Sequence, residues 1–202
     1  MSSVVDICNI ALAHLGDSAT VSSIDPPEGS AQAEHCATFY PIARDSLIEL
    51  HTWKFSSRRA QLALLSSGTF GWGFAYAKPS GAIRILSVLG SNDDGDSVGQ
   101  PFEIESDASG VEMILSDQED ATVRYQVSVT DPAKYSPLFV DALGWLLASY
   151  LAGPILKGDV GTKEAKACYQ HFRVLLSQAI ESDANQRKKK DDNHTPAWIG
   201  GR

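Results

Sequence analysis

The 202-residue sequence contains few of the residues that would cross-link a small protein. Its three cysteines, Cys8, Cys36 and Cys168, lie far apart and form no CxxC pair. An odd number of widely spaced thiols predicts reduced cysteines, without disulfides and without a zinc site. A chain of this length buries roughly 70% of the surface that its unfolded form exposes, so it needs no such cross-links to fold.

No segment is predicted to cross a membrane. The longest mostly apolar stretch, residues 138–152, contains Asp141 and is shorter than the roughly 20 apolar residues of a typical span. The first residues include no lysine or arginine and carry Asp6, which argues against a secretory signal peptide. We therefore expect a protein without a membrane partner.

Motifs for catalysis and for cofactor binding are also missing. The sequence has no GxSxG elbow, no HExxH pair, no phosphate-binding loop and no metal-ligand spacing among its five histidines. Two carboxylate pairs remain, Asp45 with Glu49 and Glu103 with Glu105, and a glycosidase needs only two carboxylates. Such acids also need pKa values shifted by an apolar pocket, which a sequence does not show. We predict that the chain is not an enzyme and has no catalytic, cofactor-binding or metal-binding residues.

Basic residues are absent from residues 91–120, which hold ten acidic residues. The remaining chain has 15 acids and 17 bases, so the net charge of −8 is concentrated in this section. One interpretation is a solvated surface hairpin, and another is a surface that repels an anionic partner, because a field of one sign biases encounters with charged molecules. The candidates for such a surface are Asp93, Asp94, Asp96, Glu103, Glu105, Asp117, Glu119 and Asp120.

Helical periodicity marks the first part of the chain. Apolar residues from Val4 to Leu15 predict a first helix, with Ser2 or Ser3 as its cap and Gly16 as its end. Ser30 is a suitable N-cap for a second helix that extends to about Leu50. Pro41 lies inside this second helix and is expected to kink or divide it.

The same periodicity returns near the C-terminus. Ser136 followed by Pro137 predicts the start of a helix that is apolar on nearly every side, as is typical of a helix buried in a bundle or at a subunit interface. Gly153 and Pro154 are expected to end it. Thr162 is predicted to cap a last long helix.

Between these helical parts the sequence favours strands. Alternating apolar residues predict strands at residues 82–89, 102–105, 111–115 and 121–129, joined by turns. The fold class predicted is therefore α+β, mainly an α-helical bundle with an inserted antiparallel β meander of about four strands. The expected sections are N-terminal bundle helices (1–65), a β-rich acidic insertion (66–130), C-terminal bundle helices (131–185) and a flexible tail (186–202).

A small apolar group stands alone near the end of the chain. Pro196, Trp198 and Ile199 lie beyond the polar stretch from Arg187 to Asn193. Tryptophan is a common anchor in binding interfaces. We interpret the segment as one that orders on contact with another subunit.

The N-terminal 60 residues carry the most specific pattern. It consists of CNIALAHLG at residues 8–16, Tyr40-Pro41, Ala43-Arg44-Asp45 and LHTWKFS at residues 50–56. The pattern resembles the tail tubular protein A or head-to-tail adaptor family of short-tailed phages, which typically shows a "CN-A-LG" opening and an "L-hPW-FA-kR" stretch. Thr52 stands where the family often has proline, a departure that affects a turn. The resemblance extends over essentially the whole chain, although its strand-rich part is generic.

This resemblance implies a function and a set of partners. It implies a ring, typically of twelve copies, docked beneath the portal protein and above the tail nozzle protein, with DNA passing through it without specific binding. It also implies assembly in the host cytoplasm and a final location in the virion. Some relatives are reported as peptidoglycan hydrolases, so a hydrolase acting during cell entry remains an alternative, as does a DNA-binding module.

The resemblance also gives the candidate residues their roles. The acidic residues would face the channel, and the apolar tail group would dock on the portal. Aromatic residues of the helical part would pack between neighbours in the ring, and the candidates are Trp53, Phe55 and Trp145.

Overall fold

The computed structural model of the chain describes residues 2–90 and 99–186. These residues form four α-helices, seven β-strands and two single-turn 3-10 helices. The helices are α1 (Val4–His14), α2 (Ala31–Leu50), α3 (Pro137–Leu156) and α4 (Gly158–Ala184). The strands are β1 (Ser57–Gln61), β2 (Leu64–Thr69), β3 (Trp72–Ala77), β4 (Ala82–Leu89), β5 (Phe102–Ser106), β6 (Glu112–Ser116) and β7 (Thr122–Val127).

Serine side chains begin three of the helices. The hydroxyls of Ser3, Ser30 and Ser136 each accept a hydrogen bond from the backbone N–H three residues later, at distances of 3.0 to 3.2 Å. Asp6 completes a capping box by accepting from the backbone N–H of Ser3 at 2.8 Å. These starts confirm the predicted caps, because each cap depends only on neighbouring residues.

Three predicted helix boundaries are wrong: the division of α2 at Pro41, the end of α3 at Gly153 and Pro154, and the start of α4 at Thr162. Helix α2 continues through Pro41, which lies on its exposed side, where water can bind the carbonyl that the proline leaves free. Helix α3 likewise includes Pro154 and ends at Leu156. Helix α4 begins at Gly158 rather than at Thr162, whose hydroxyl donates to the carbonyl of Gly158 at 3.2 Å.

Helix α3 is the centre of the helical part and packs against α1, α2 and α4. Two glycines allow close approach: a Cβ at Gly144 would lie 3.0 Å from Cγ2 of Ile10, and one at Gly161 would lie 2.7 Å from the carbonyl oxygen of Ala152. By length and composition alone α3 would pass as a membrane span, but 56% of its most apolar window is buried inside the chain. The apolar segment is therefore longer than the sequence predicted, and it serves as a core helix.

The strands form two antiparallel sheets rather than a meander. One sheet has the order β1-β7-β4 and the other has the order β2-β3-β6-β5. Strands β4 and β5, which a meander would pair, lie in different sheets, and an isolated bridge joins Val88 of β4 to Gln100 ahead of β5. The predicted meander of residues 82–129 is thus wrong, because β7 pairs with β4 on one side and with β1 on the other.

The α+β class is confirmed, but the description of the chain as mainly an α-helical bundle is wrong. Helix accounts for 47% and strand for 25% of the structure, with sheets of three and four strands. Strands begin at Ser57, ahead of the expected start of the β-rich section at residue 66. Strands β1, β2 and β3 were not predicted because they are short, exposed or rich in glycine and serine.

The two sheets share one apolar cluster. Its buried members are Leu62, Tyr76, Ile85, Val88, Ile114, Ala121 and Val123, which come from both sheets and the loops beside them. Each sheet therefore has an inner face toward this cluster and an outer face that points away from the other sheet. This arrangement decides which charged side chains can meet.

Candidate interaction surfaces

Trp53 is the centre of the corner between α2 and β1. Its side chain is fully buried, and its indole N–H donates to the carbonyl of Leu47 at 2.9 Å. The rings of His51 and Phe139 meet it edge-on, with centroids at 4.8 and 4.9 Å. Trp53 was expected to pack between ring neighbours, but its position in the core leaves no surface for a neighbouring copy.

The same corner holds the end of α4. Asp183, which is almost fully buried, accepts a hydrogen bond from the backbone N–H of Lys54 at 3.1 Å. Nζ of Lys54 and Nε2 of His51 lie 3.4 and 3.3 Å from its other oxygen. Gln126 of β7 donates to the carbonyl of His51 at 2.6 Å. These contacts join the helices to the three-stranded sheet.

Phe55 and Trp145 lie in different surroundings. Phe55 is partly buried against Tyr135 and Phe139, with ring centroids at 5.4 and 4.9 Å. Trp145 is partly buried between two imidazoles, with His14 stacked at 3.8 Å and His171 at 4.6 Å. Phe55 therefore belongs to the aromatic core around Trp53, whereas Trp145 lies in a stack that ends at the exposed His171.

Burial lowers the pKa of His14, the inner ring of this stack. The nearby charge of His171 lowers the pKa further, whereas Asp141 opposes the shift. Nε2 of His14 is buried and has no hydrogen-bond partner in the part of the chain that the structure describes. His14 is thus held as a neutral ring between α1 and α3.

Two further parts of the N-terminal pattern have structural roles. Asn9 donates to the carbonyl of Val21 at 2.9 Å and accepts from its N–H at 2.7 Å, which fixes the loop after α1. Arg44 holds Asp45 through two hydrogen bonds of 2.8 Å, and Ser128 donates to the same carboxylate at 2.6 Å. Burial would raise the pKa of Asp45, but the hydrogen bonds from Arg44 and Ser128 outweigh it and lower that pKa.

The acidic candidates within the described residues lie in two places. Glu103 and Glu105 are exposed on the outer face of β5, an edge strand, opposite Leu115 and Met113 of β6. Asp117, Glu119 and Asp120 are exposed between β6 and β7, where Asp117 accepts from the N–H of Gly73 at 2.7 Å. Glu103 and Glu105, two residues apart in β5, therefore share one face of that strand.

Several candidates lie outside the described residues. They are Asp93, Asp94 and Asp96 of the acidic section and Pro196, Trp198 and Ile199 of the tail. Their roles remain predictions from the sequence.

A basic face on the three-stranded sheet was not predicted. Arg59 of β1 stands directly opposite Arg124 of β7, and Arg84 of β4 stands opposite Gln126 on the same face. Arg59 and Arg84 are exposed and Arg124 is partly buried. No local sequence motif predicts this face, because its three arginines come from strands that are distant in sequence.

Strand β2 forms the other edge of the four-stranded sheet and carries no charge. Leu64 and Leu65 are 54% and 52% exposed, and Phe70 in the following turn is 74% exposed. Edge strands with apolar side chains and no charge are open to pairing with other chains. The opposite edge, β5, has Glu103 and Glu105 instead.

Two of the carboxylates beside the grooves, Asp6 and Asp45, do not have the raised pKa of a catalytic acid. A groove of about 670 Å³ beside α1 contains Asp6 and Asp141, a pair that the sequence analysis missed. Hydrogen bonds from Ser3 lower the pKa of Asp6. A smaller groove of about 300 Å³ contains Asp45 and Glu49. A general acid needs a raised pKa, and the pKa values of Asp6 and Asp45 move in the opposite direction.

Cys8 and Cys168 are buried and lack the lowered pKa of a nucleophilic thiol. A hydrogen bond with Cys36 and burial raise the pKa of the Cys8 thiol. Burial and the neighbouring Glu164 raise the pKa of Cys168 to about 11. Within residues 2–90 and 99–186, no three His, Cys, Asp or Glu side chains are grouped so that they could hold a metal ion.

Comparison with known proteins gives no family assignment. A scan against protein-family models and a search of the curated proteins found no match to this chain.

Proposed function

We propose that this chain is a structural head-to-tail connector subunit of a short-tailed phage. In this role it forms a ring under the portal protein, joins the portal to the tail nozzle and lets DNA pass. The observation that carries the proposal is the N-terminal pattern that resembles the adaptor family. Two of its residues, Asp45 and Trp53, lie where α2 meets the three-stranded sheet.

The structural roles of these residues support the proposal. Asn9 fixes the loop after α1, Arg44 and Asp45 reach Ser128 beyond β7, and Trp53 fills the corner between α2 and β1. Such residues specify a scaffold and not a reaction centre. A pattern that specifies a scaffold fits a protein whose function is to hold other proteins together.

The acidic residues support the passage of DNA. Glu119 and Asp120, in the loop between β6 and β7, are exposed, and neither has an ion-pair partner among the described residues. Affinity for phosphate depends on cationic contacts, so carboxylates that line a channel would repel DNA and not retain it. Repeated in each copy of a ring, they would form a negative lining.

The experiment that tests the proposal is native mass spectrometry of the chain alone and mixed with its portal protein, with negative-stain images of the mixture. We expect a ring that attaches to the portal and then accepts the nozzle protein. A chain that stays monomeric and ignores both proteins contradicts the proposal.

Two short assays test the other functions. A zymogram on purified peptidoglycan should show no lysis zone at high protein loading; a zone that disappears in the Glu49→Gln variant would instead support a hydrolase. A gel shift with duplex DNA at low salt should show no retention. Retention there would support a DNA-binding module.

A further inference from the structure

The arginine face and the glutamate face lie on opposite outer faces of the two packed sheets. The arginine face consists of Arg59, Arg84 and Arg124 on the three-stranded sheet, and the glutamate face consists of Glu103 and Glu105 on β5. Ala60 and Val123 alternate with Arg59 and Arg124 and point to the shared cluster between the sheets. Since both charged faces point away from that cluster, they cannot neutralise each other within one chain.

The three arginines have no charged or hydrogen-bonded side-chain partner among the described residues. None of the three forms an ion pair or a side-chain hydrogen bond with any other described residue. Arg59 and Arg124 nevertheless stand directly opposite each other on adjacent strands, and like charges in that position are destabilising. The repulsion between these two guanidinium groups destabilises the free chain. A bound anion would remove that repulsion, so we expect this face to bind one.

The glutamate face carries the charge that is complementary to the arginine face. Glu103 and Glu105 lie two residues apart on one face of an edge strand and have no ion pair with any described residue. A guanidinium group binds a carboxylate through two parallel hydrogen bonds, a geometry that lysine does not reproduce. The arginine face and the glutamate face have opposite charge and lie on opposite sides of one chain, so the first face of one copy is complementary to the second face of another.

We infer that the arginine face of one copy binds the glutamate face of the next copy. The partner is a second copy of this chain, in a head-to-tail contact that can close into a ring. The inference rests on the proposed connector function and adds the surface through which its subunits meet. Because the carboxylates are in the same chain, the charge complementarity favours a second copy over DNA as the partner.

Charge exchange tests the inference. The variant Arg59→Glu/Arg124→Glu should lose self-association by about tenfold or more, and so should Glu103→Arg/Glu105→Arg. An equimolar mixture of the two variants should recover assembly, because each contact then joins unlike charges again. Native mass spectrometry should show the two variants alternating in the recovered assemblies.

Matched controls separate a specific contact from a general effect of charge. Lys163→Glu/Lys166→Glu reverses two exposed cations on α4 and changes the net charge by the same amount as Arg59→Glu/Arg124→Glu. Because α4 belongs to neither charged face, this control should leave self-association unchanged. Circular dichroism and thermal melting should show that every variant is folded. Equal loss in the α4 control, or no recovery in the mixture of folded variants, would overturn the inference.

The remaining outcomes distinguish this inference from the proposed function. If rings form on the portal and the arginine variant assembles like the wild type, the inference is wrong and the connector function stands. If the wild type neither assembles nor binds the portal, the proposed connector function is wrong, and so is the inference that rests on it. If the arginine variant loses binding to duplex DNA but not self-association, the face is a nucleic-acid surface and the inference is wrong.

Discussion

At the scale of single residues, the N-terminal pattern is a set of internal contacts. Trp53, one of the three candidates for packing between ring neighbours, is fully buried and hydrogen-bonded within its own chain. Sequence identifies such a residue as important but does not show whether its partners belong to the same chain. The structure assigns Trp53 to the core and leaves Trp145, in its half-buried stack, as the ring-packing candidate with surface to offer.

Replacing Trp53 with phenylalanine should destabilise the fold. The change removes buried ring volume and leaves the Leu47 carbonyl without its donor, a loss of roughly 2 kcal/mol. Urea unfolding followed by circular dichroism measures the change. Phe70→Leu, at a position that is 74% exposed, is the control and should change stability by less than about 0.5 kcal/mol. A similar cost for both changes would contradict the assignment of Trp53 to the core.

His14 should make stability depend on pH. Because burial lowers the pKa of His14 in the folded state below about 6.5, its value in unfolded chains, the unfolded state binds more protons in this range. Its contribution to stability is therefore complete above that value and is lost as pH falls through the folded pKa. We expect His14→Phe, which keeps a ring against Trp145, to lose less stability than the wild type between pH of about 7.5 and about 5.5.

Urea unfolding at each pH measures this effect. His35→Gln on α2 removes a histidine outside the stack and should leave the pH profile of the wild type unchanged. If His14→Phe and the wild type lose stability in parallel, His14 is not the titrating group.

At the scale of helices and strands, the serine caps were predicted correctly and most of the strand pairings were not. Ser3, Ser30 and Ser136 mark helix starts because a cap needs only the next turn of chain. The pairing of β1 with β7 joins residues about 65 positions apart, from Arg59 to Arg124, and no local pattern specifies it. The basic face was missed for the same reason. The end of α3 was misplaced because Pro154 is tolerated in its last turn and Lys157, with φ of +57°, makes the break before α4.

The crossing of α3 and α4 should depend on one glycine. Gly161→Ala would place a Cβ 2.7 Å from the Ala152 carbonyl oxygen, so the helices must separate, at a cost of about 1–3 kcal/mol. Gly153→Ala is the matched change, because no atom lies within 4 Å of the added Cβ. Thermal melts of the two variants should differ clearly, with the lower midpoint for Gly161→Ala. Equal midpoints would mean that the contact at Gly161 does not limit the packing.

At the scale of the whole molecule, the net charge of −8 describes no single surface. The described carboxylates of the acidic section and the unpaired arginines lie on different sheets, so the molecule has charged faces of opposite sign. Exposed charges of this kind are screened by salt over about 8 Å at physiological ionic strength.

Self-association through these faces should therefore weaken as salt is added. Sedimentation velocity at about 50 mM and at about 500 mM sodium chloride should show smaller assemblies at the higher concentration. The mixture of charge-reversed variants should respond to salt in the same way. Assemblies that grow with salt would indicate an apolar contact in place of an ionic one.

Removal of the tail tests the role predicted for Trp198. A chain truncated after Asp192 should keep its fold and its melting temperature but bind the portal protein less tightly, because the apolar anchor is gone. Surface plasmon resonance on immobilised portal measures the loss, and Trp198→Ala in the full chain should reproduce most of it. Unchanged affinity in both variants would refute a docking role for the tail.

The uncharged edge formed by β2 has a practical consequence for anyone who purifies this protein. Leu64, Leu65 and the open backbone of β2 offer a template on which a misplaced chain can lay down another strand. Long storage at high concentration therefore favours slow precipitation with growing β content. A single lysine in place of Ser66 would introduce the kind of charge with which natural edge strands prevent such growth, and would extend the time for which stock solutions remain clear.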